Sequence, residues 1–99
     1  MGVPIKVGCF ALATTARAQA FGQKYGLLKI IAHAESDTVL GVHIIAPHAS
    51  ELIAEAVLAM EFSASSEDLA KTIHAHPTLS EGYHEAALAI KKMSVHIPL

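Results

Sequence analysis

His76 and Glu81 are the two residues of this chain best placed to do chemistry together. They bracket a turn in Ile73-His74-Ala75-His76-Pro77-Thr78-Leu79-Ser80-Glu81, with the glutamate five residues after the histidine. A carboxylate beside an imidazole fixes the ring and favours its charged form. The second ring nitrogen then stays open to take or give a proton. The run reads as a tight turn at a helix start. No nucleophile, metal-ligand set or phosphate loop accompanies the pair. The chain therefore reads as half of an active site.

Each of these residues also has a plain structural reading. Thr78 and Glu81 have capping-box spacing, so Glu81 could serve only the helix. Pro77 suits the first helical position, where a missing N–H costs nothing. His74 sits two residues before His76, which on a strand would put both rings on one face. Two rings make an incomplete zinc site and no third ligand lies nearby, so no metal is expected. Glu81 and Glu85 share a helix face, but nothing else supports a glycosidase-type carboxylate pair. His84 reads as solvated or interfacial, and His33, His43, His48 and His96 as structural or exposed. Cys9 has no activating neighbour and no CxxC partner, and reads as a small buried hydrophobe.

The elements that must position the pair follow from composition and period. Ninety-nine residues fit one domain. Hydrophobic residues make up 53% and mean hydropathy is +0.44. Charged residues are 16%, against roughly 25% in an average soluble domain. No apolar run approaches the ~20 residues of a membrane span, so the surplus points to a surface covered by a partner. Seven scattered Lys and Arg and a net charge of −2 give no nucleic-acid patch. A single cysteine excludes an internal disulfide framework and fits a reducing compartment. Met1 to Cys9 does not read as a signal peptide.

Pro4 to Leu12 reads as a strand, and Ala13 to Ala18 as a connector or short helix. Gly26 to His33 and Val39 to Ile45 are β-branched runs joined by Glu35-Ser36-Asp37-Thr38, an antiparallel hairpin. Both runs are apolar on both faces, which predicts a sheet covered on both sides or central in an assembly. Leu52, Ile53, Ala56, Val57 and Met60 form one helical stripe. Ser65 with Asp68 caps a short helix from Ser66 to Lys71. A last helix runs from near Leu79 to about Met93. It is small and apolar nearly all round, so it is expected to be buried in a dimer seam, with Leu88 and Ile90 in or near it. This order is α+β rather than alternating βαβ.

The segment His74-Ala75-His76-Pro77-Thr78-Leu79-Ser80-Glu81 resembles the C-terminal signature of dihydrolipoamide dehydrogenases, within the pyridine nucleotide–disulfide oxidoreductase family. Lys6-Val7-Gly8, Arg17-Ala18, Val39 to Ile45, Ala49 to Ile53, Ala56 to Phe62, Ser66 to Ala70 and Glu85 to Ala89 resemble the same domain in the same order. Glutathione-type reductases usually show His-Pro-Thr-Ser-Ser-Glu, so His74, His76 and Leu79 favour the lipoamide branch. The family usually has Pro and Phe near Ala11 and Leu12, and Asn near Thr15, departures that touch local loop geometry.

The resemblance implies that residues 1–99 are a C-terminal dimerisation (interface) domain, α+β with a mixed or antiparallel β-sheet and helices. It implies a homodimer in which each His-Pro loop enters the partner subunit's active site. His76 would be the acid–base residue toward a dithiol and Glu81 its orienter, with His76 and Pro77 near the flavin. FAD and NAD would be cofactors of the full-length enzyme, with none held by this chain alone, because CxxxxC and Gly-rich motifs are missing from it. The chain then reads as a fragment, engineered or truncated, inactive by itself. Further implied partners are a lipoyl-bearing 2-oxo acid dehydrogenase or glycine cleavage component, with no nucleic acid and no membrane. The implied location is the bacterial cytoplasm or the mitochondrial matrix. The competing reading is a stand-alone homodimerising module without catalysis.

Overall fold

The computed structural model describes residues 2–12, 26–46 and 48–92. Three strands, β1 (Ile5–Ala11), β2 (Leu27–His33) and β3 (Val39–Ile45), form an antiparallel sheet in the order β1-β2-β3. Three helices follow: α1 (Ala49–Glu61), α2 (Ser66–Lys71) and α3 (Glu81–Lys92). The α+β order and the β2–β3 hairpin match expectation. The connector expected at 13–18, His96 and the expected helix end at Met93 lie outside the described residues.

Of the two alternatives for the sheet, covered on both faces or central in an assembly, the described helices do not supply the first. Leu28, Ile30 and Ala32 of central β2 are fully buried and point to the helices, whereas Leu27 is exposed and Ile31 is half-buried. The described helices thus cover one face, not both. The register carries Gly8 and Phe10 of β1 and Val42 and Ile44 of β3 to the helix side, opposite Ile30 and Leu28. A bulge between Ile31 and Ala32 skips Leu40 and pairs Ala32 with Val39. The skip reverses the alternation. Val39 enters the core and Leu40 is left exposed.

Burial on α1 falls on Leu52, Ala56 and Ala59, one face at i, i+4, i+7. Val57 and Met60, placed on the buried stripe by periodicity, are exposed instead, as are Leu58 and Phe62. The helix is apolar around most of its circumference, and the core accepts only the arc of Leu52, Ala56 and Ala59. Ile90 also departs from expectation. It is buried in the domain's own core against β1, so it cannot itself face a second copy as it stands, and Leu88 is half-buried.

The α2 cap forms as its spacing predicts. The Ser65 hydroxyl accepts the Asp68 N–H at 3.1 Å, and the Asp68 carboxylate accepts the Ser65 N–H at 2.9 Å. Asp37, in the left-handed region at φ 66°, adds a second anchor. Its carboxylate takes the Glu67 N–H at 2.9 Å, the Ser66 hydroxyl, and the Lys6 ammonium at 2.8 Å. Burial pushes the Asp37 carboxyl up, but Lys6, Ser66 and Glu67 together hold it below the usual carboxylate range. A lowered folded pKa gives stability that is complete above the carboxylate range and is lost as pH falls through it. Asp37→Ala is expected to lower stability by about 2 kcal/mol, since three groups lose a charged acceptor. Urea titrations at pH 7 and in acid check this: the gap between wild type and variant should narrow in acid, and a gap unchanged by pH refutes it.

Candidate acid–base site

The segment from Thr72 to Ser80, between α2 and α3, carries His76, and Glu81 follows directly at the start of α3. The His76–Pro77 peptide is cis. The Thr78 hydroxyl donates to the Ala75 carbonyl at 2.6 Å and closes the turn. Glu81 is the first residue of α3. Its Oε1 lies 2.9 Å from His76 Nδ1, and its Oε2 lies 3.2 Å from the same nitrogen. The same Oε2 also accepts the Thr78 N–H at 2.8 Å. The capping role and the His76 contact are therefore not alternatives in geometry, because one carboxylate makes both. The capping box is only half formed, since the Thr78 hydroxyl is spent on Ala75.

The charge on Glu81 is well supported. The hydrogen bond from His76 first, and that from the Thr78 backbone second, hold its carboxyl below the usual carboxylate range. The α3 N-terminus is also a favourable place for a negative charge. With Nδ1 on Glu81, the His76 Nε2 has no hydrogen-bond partner among the described residues, and the side chain is 71% exposed. A ring oriented through one nitrogen and open at the other can exchange a proton with a molecule from outside the domain.

The other histidines have local work or none. His74 and His76 do not share a face, because the segment is a loop and the two rings take different partners. His84 is half-buried, and its Nδ1 faces the Ala70 carbonyl at 2.8 Å, tying α3 to α2. His33 Nδ1 accepts the Glu35 and Ser36 N–H groups and holds the hairpin turn. His43 and His48 are exposed. Cys9, expected to be buried, is exposed on β1, on the side away from the helices. Among the described residues no three His, Cys, Asp or Glu side chains gather as metal ligands.

Sequence reasoning missed the surroundings of His74. Its Nε2 lies 2.6 Å from Glu55 Oε2 on α1, and its Nδ1 lies 3.1 Å from the Thr72 carbonyl. Tyr83 of α3 stacks on the ring, centroids 6.3 Å apart and planes within 9°. The Tyr83 hydroxyl donates to the Leu52 carbonyl at 2.5 Å. Burial first, and the Glu55 charge second, push the Tyr83 phenol up to about 12, so it remains a donor. Glu55 lies off the apolar stripe and gives no sequence signal of this contact.

A three-stranded antiparallel sheet backed by helices thus presents one oriented histidine on an outward loop. Residues 1–87 match the family model described as the pyridine nucleotide-disulphide oxidoreductase dimerisation domain, and the chain belongs to that family. It is 51% identical over 96 residues to the mitochondrial dihydrolipoyl dehydrogenase of Pisum sativum, covering 97% of this chain and 19% of the relative. It is 50% identical over 96 residues to the dihydrolipoyl dehydrogenase of Thermus scotoductus, covering 97% and 21%. The crystal structure of LpdA from Mycobacterium tuberculosis superposes with a TM-score of 0.82 at 32% identity, over 87% of this chain and 19% of that one. The chain spans about a fifth of the length of the curated relatives it matches.

Proposed function

We propose that residues 1–99 form one interface domain of a homodimeric dihydrolipoyl dehydrogenase, and that this domain supplies the acid–base pair His76–Glu81 to the partner subunit's dithiol site. The observation that carries the reading is the 2.9 Å contact from His76 Nδ1 to Glu81, with Nε2 open on an exposed loop. His76 Nε2 takes the proton of a dithiol substrate and returns it to a leaving thiolate. Glu81 holds the ring and balances its charge. The exposed apolar residues Val57, Leu58, Phe62 and Ile73 support a covered surface and thus the dimer.

The contribution we propose for this domain is one edge of a flavin site. The exposed His76–Pro77 turn is compatible with such an edge. FAD and NAD would supply the redox chemistry when bound, and this chain's residues hold and move the proton. The proposed wider partner is a lipoyl-bearing component of a 2-oxo acid dehydrogenase or glycine cleavage system. The two relatives named above support a mitochondrial or bacterial setting.

Hybrid dimers test the exchange between subunits. One chain carries His76→Gln; the other carries serine in place of the redox cysteines, which lie outside this sequence. If the histidine acts across the dimer, one complete site survives, and about half of wild-type turnover is expected from the two-fold symmetry. A hybrid without activity, beside an active wild-type dimer, would place the histidine in its own subunit's site.

A further inference from the structure

We propose that His74 is a positioning residue: clamped by Glu55 and Tyr83, it locks the loop that presents His76 and so sets the His76–Glu81 geometry. The ring of His74 cannot itself serve a substrate. Its side chain is only 7% exposed, and both nitrogens already face acceptors, Thr72 and Glu55. The Thr72 carbonyl can only accept, so Nδ1 donates there. An ionised Glu55 carboxylate likewise only accepts, so the ring donates through Nε2 as well.

What this clamp joins is the reason for the assignment. Glu55 belongs to α1, and Tyr83 to α3, whose hydroxyl is itself tied to Leu52 of α1. The other hydrogen bonds of residues 73–78 are local, running to Ala75 or to Glu81. Among the described residues, hydrogen bonds from this stretch reach α1 through His74 alone. His74 thus fixes the chain two residues before His76, while Glu81 fixes it afterwards. A part-buried pair of this kind is a poor source of stability, because desolvation offsets much of its attraction, but it holds direction well. The charge of His74 also contributes to holding the Glu81 carboxyl low, after the His76 and Thr78 contacts.

The kinetic half of the test rests on the reading of His76 as the base, and the structural half does not. Two variants are made in the complete flavin-loaded enzyme. His74→Phe keeps the stack on Tyr83 and removes both hydrogen bonds. Glu55→Gln keeps size and polarity, removes only the charge, and covers the case in which the first variant fails to fold. Crystal structures and side-chain NMR relaxation report on the His76 ring. Loss of its single orientation on Glu81, now at 2.9 Å, is expected in both variants. Turnover should fall on the order of tenfold, because small misplacements of a catalytic group are costly. KM should move less than about twofold, as for an interaction felt only in the transition state. The double variant should be no worse than the worse single, as for members of one linkage. His76→Gln is measured alongside. If the ring loosens while turnover is insensitive to His76→Gln, positioning stands and the catalytic reading fails. If every variant that folds keeps the His76 ring seated on Glu81, the positioning role is overturned.

Discussion

Replacing His76 by glutamine in the complete enzyme is expected to lower dithiol turnover by about 10²–10⁴-fold, the usual worth of a positioned general base. The amide is similar in reach but cannot take a proton near neutral pH. His76 is 71% exposed and contacts the domain chiefly through Glu81, so the fold and the dimer should survive the change. Sedimentation at micromolar concentration should still show two chains. Glu81→Gln is the sharper discriminator. Its carboxylate accepts N–H groups from both Thr78 and His76. A glutamine offers one carbonyl oxygen and sets a donor NH₂ against whichever N–H remains. Loss of one charge-assisted contact predicts a fall on the order of tenfold. A purely capping Glu81 predicts a nearly silent change, because Gln also serves in a capping box. Unaltered turnover in His76→Gln would sink the catalytic assignment altogether.

The parts legible in the sequence were those whose cause is local. The Ser65–Asp68 cap, the Glu35–Thr38 turn and the Glu81 contact with His76 all join residues at most five apart. Spacing alone determines whether such groups can meet. Where the cause was not local, the pattern misled. Periodicity grouped Val57 and Met60 with Leu52 and Ala56 on α1. It could not say which arc of a mostly apolar helix the sheet would take, and the sheet took Ala56 and Ala59. Cys9 sits in a run without polar alternation, so its face was set only by pairing with Lys29 on β2. The same limit hid His74: its acceptor Glu55 lies 19 residues away and becomes a neighbour only when the loop before α3 folds against α1. An all-apolar helix looks the same in sequence whether a second copy or its own sheet buries it, and Ile90 is buried by its own sheet.

That burial of Ile90 depends on a residue whose role no periodicity reveals. Gly8→Ala is expected to destabilise the domain by about 3 kcal/mol, at the upper end of ordinary overpacking. Gly8 lies at the middle of β1, paired with Ile30, on the face that α3 crosses. A Cβ there would stand 2.6 Å from Ile90 Cγ1 and 2.8 Å from the Ile90 nitrogen, with the Ala86 carbonyl closer still. Two of these three atoms are helix backbone, which cannot turn aside as a side chain can. Relief requires α3 to lift from the sheet, opening the contact around Ala86 and Ile90, both nearly fully buried. Gly41→Ala on β3 is the matched control. A Cβ there meets nothing within 4 Å, and alanine restricts the unfolded chain more than glycine does. Its expected effect is a gain of no more than about 1 kcal/mol. Urea unfolding of the two variants at one fixed protein concentration decides the matter, since association adds to apparent stability. Equal losses in both would mean that α3 is not seated on Gly8. A loss confined to Gly8→Ala would tie the helix that begins at Glu81 to the centre of β1. The geometry of the His76 loop would then depend on a single absent methyl group.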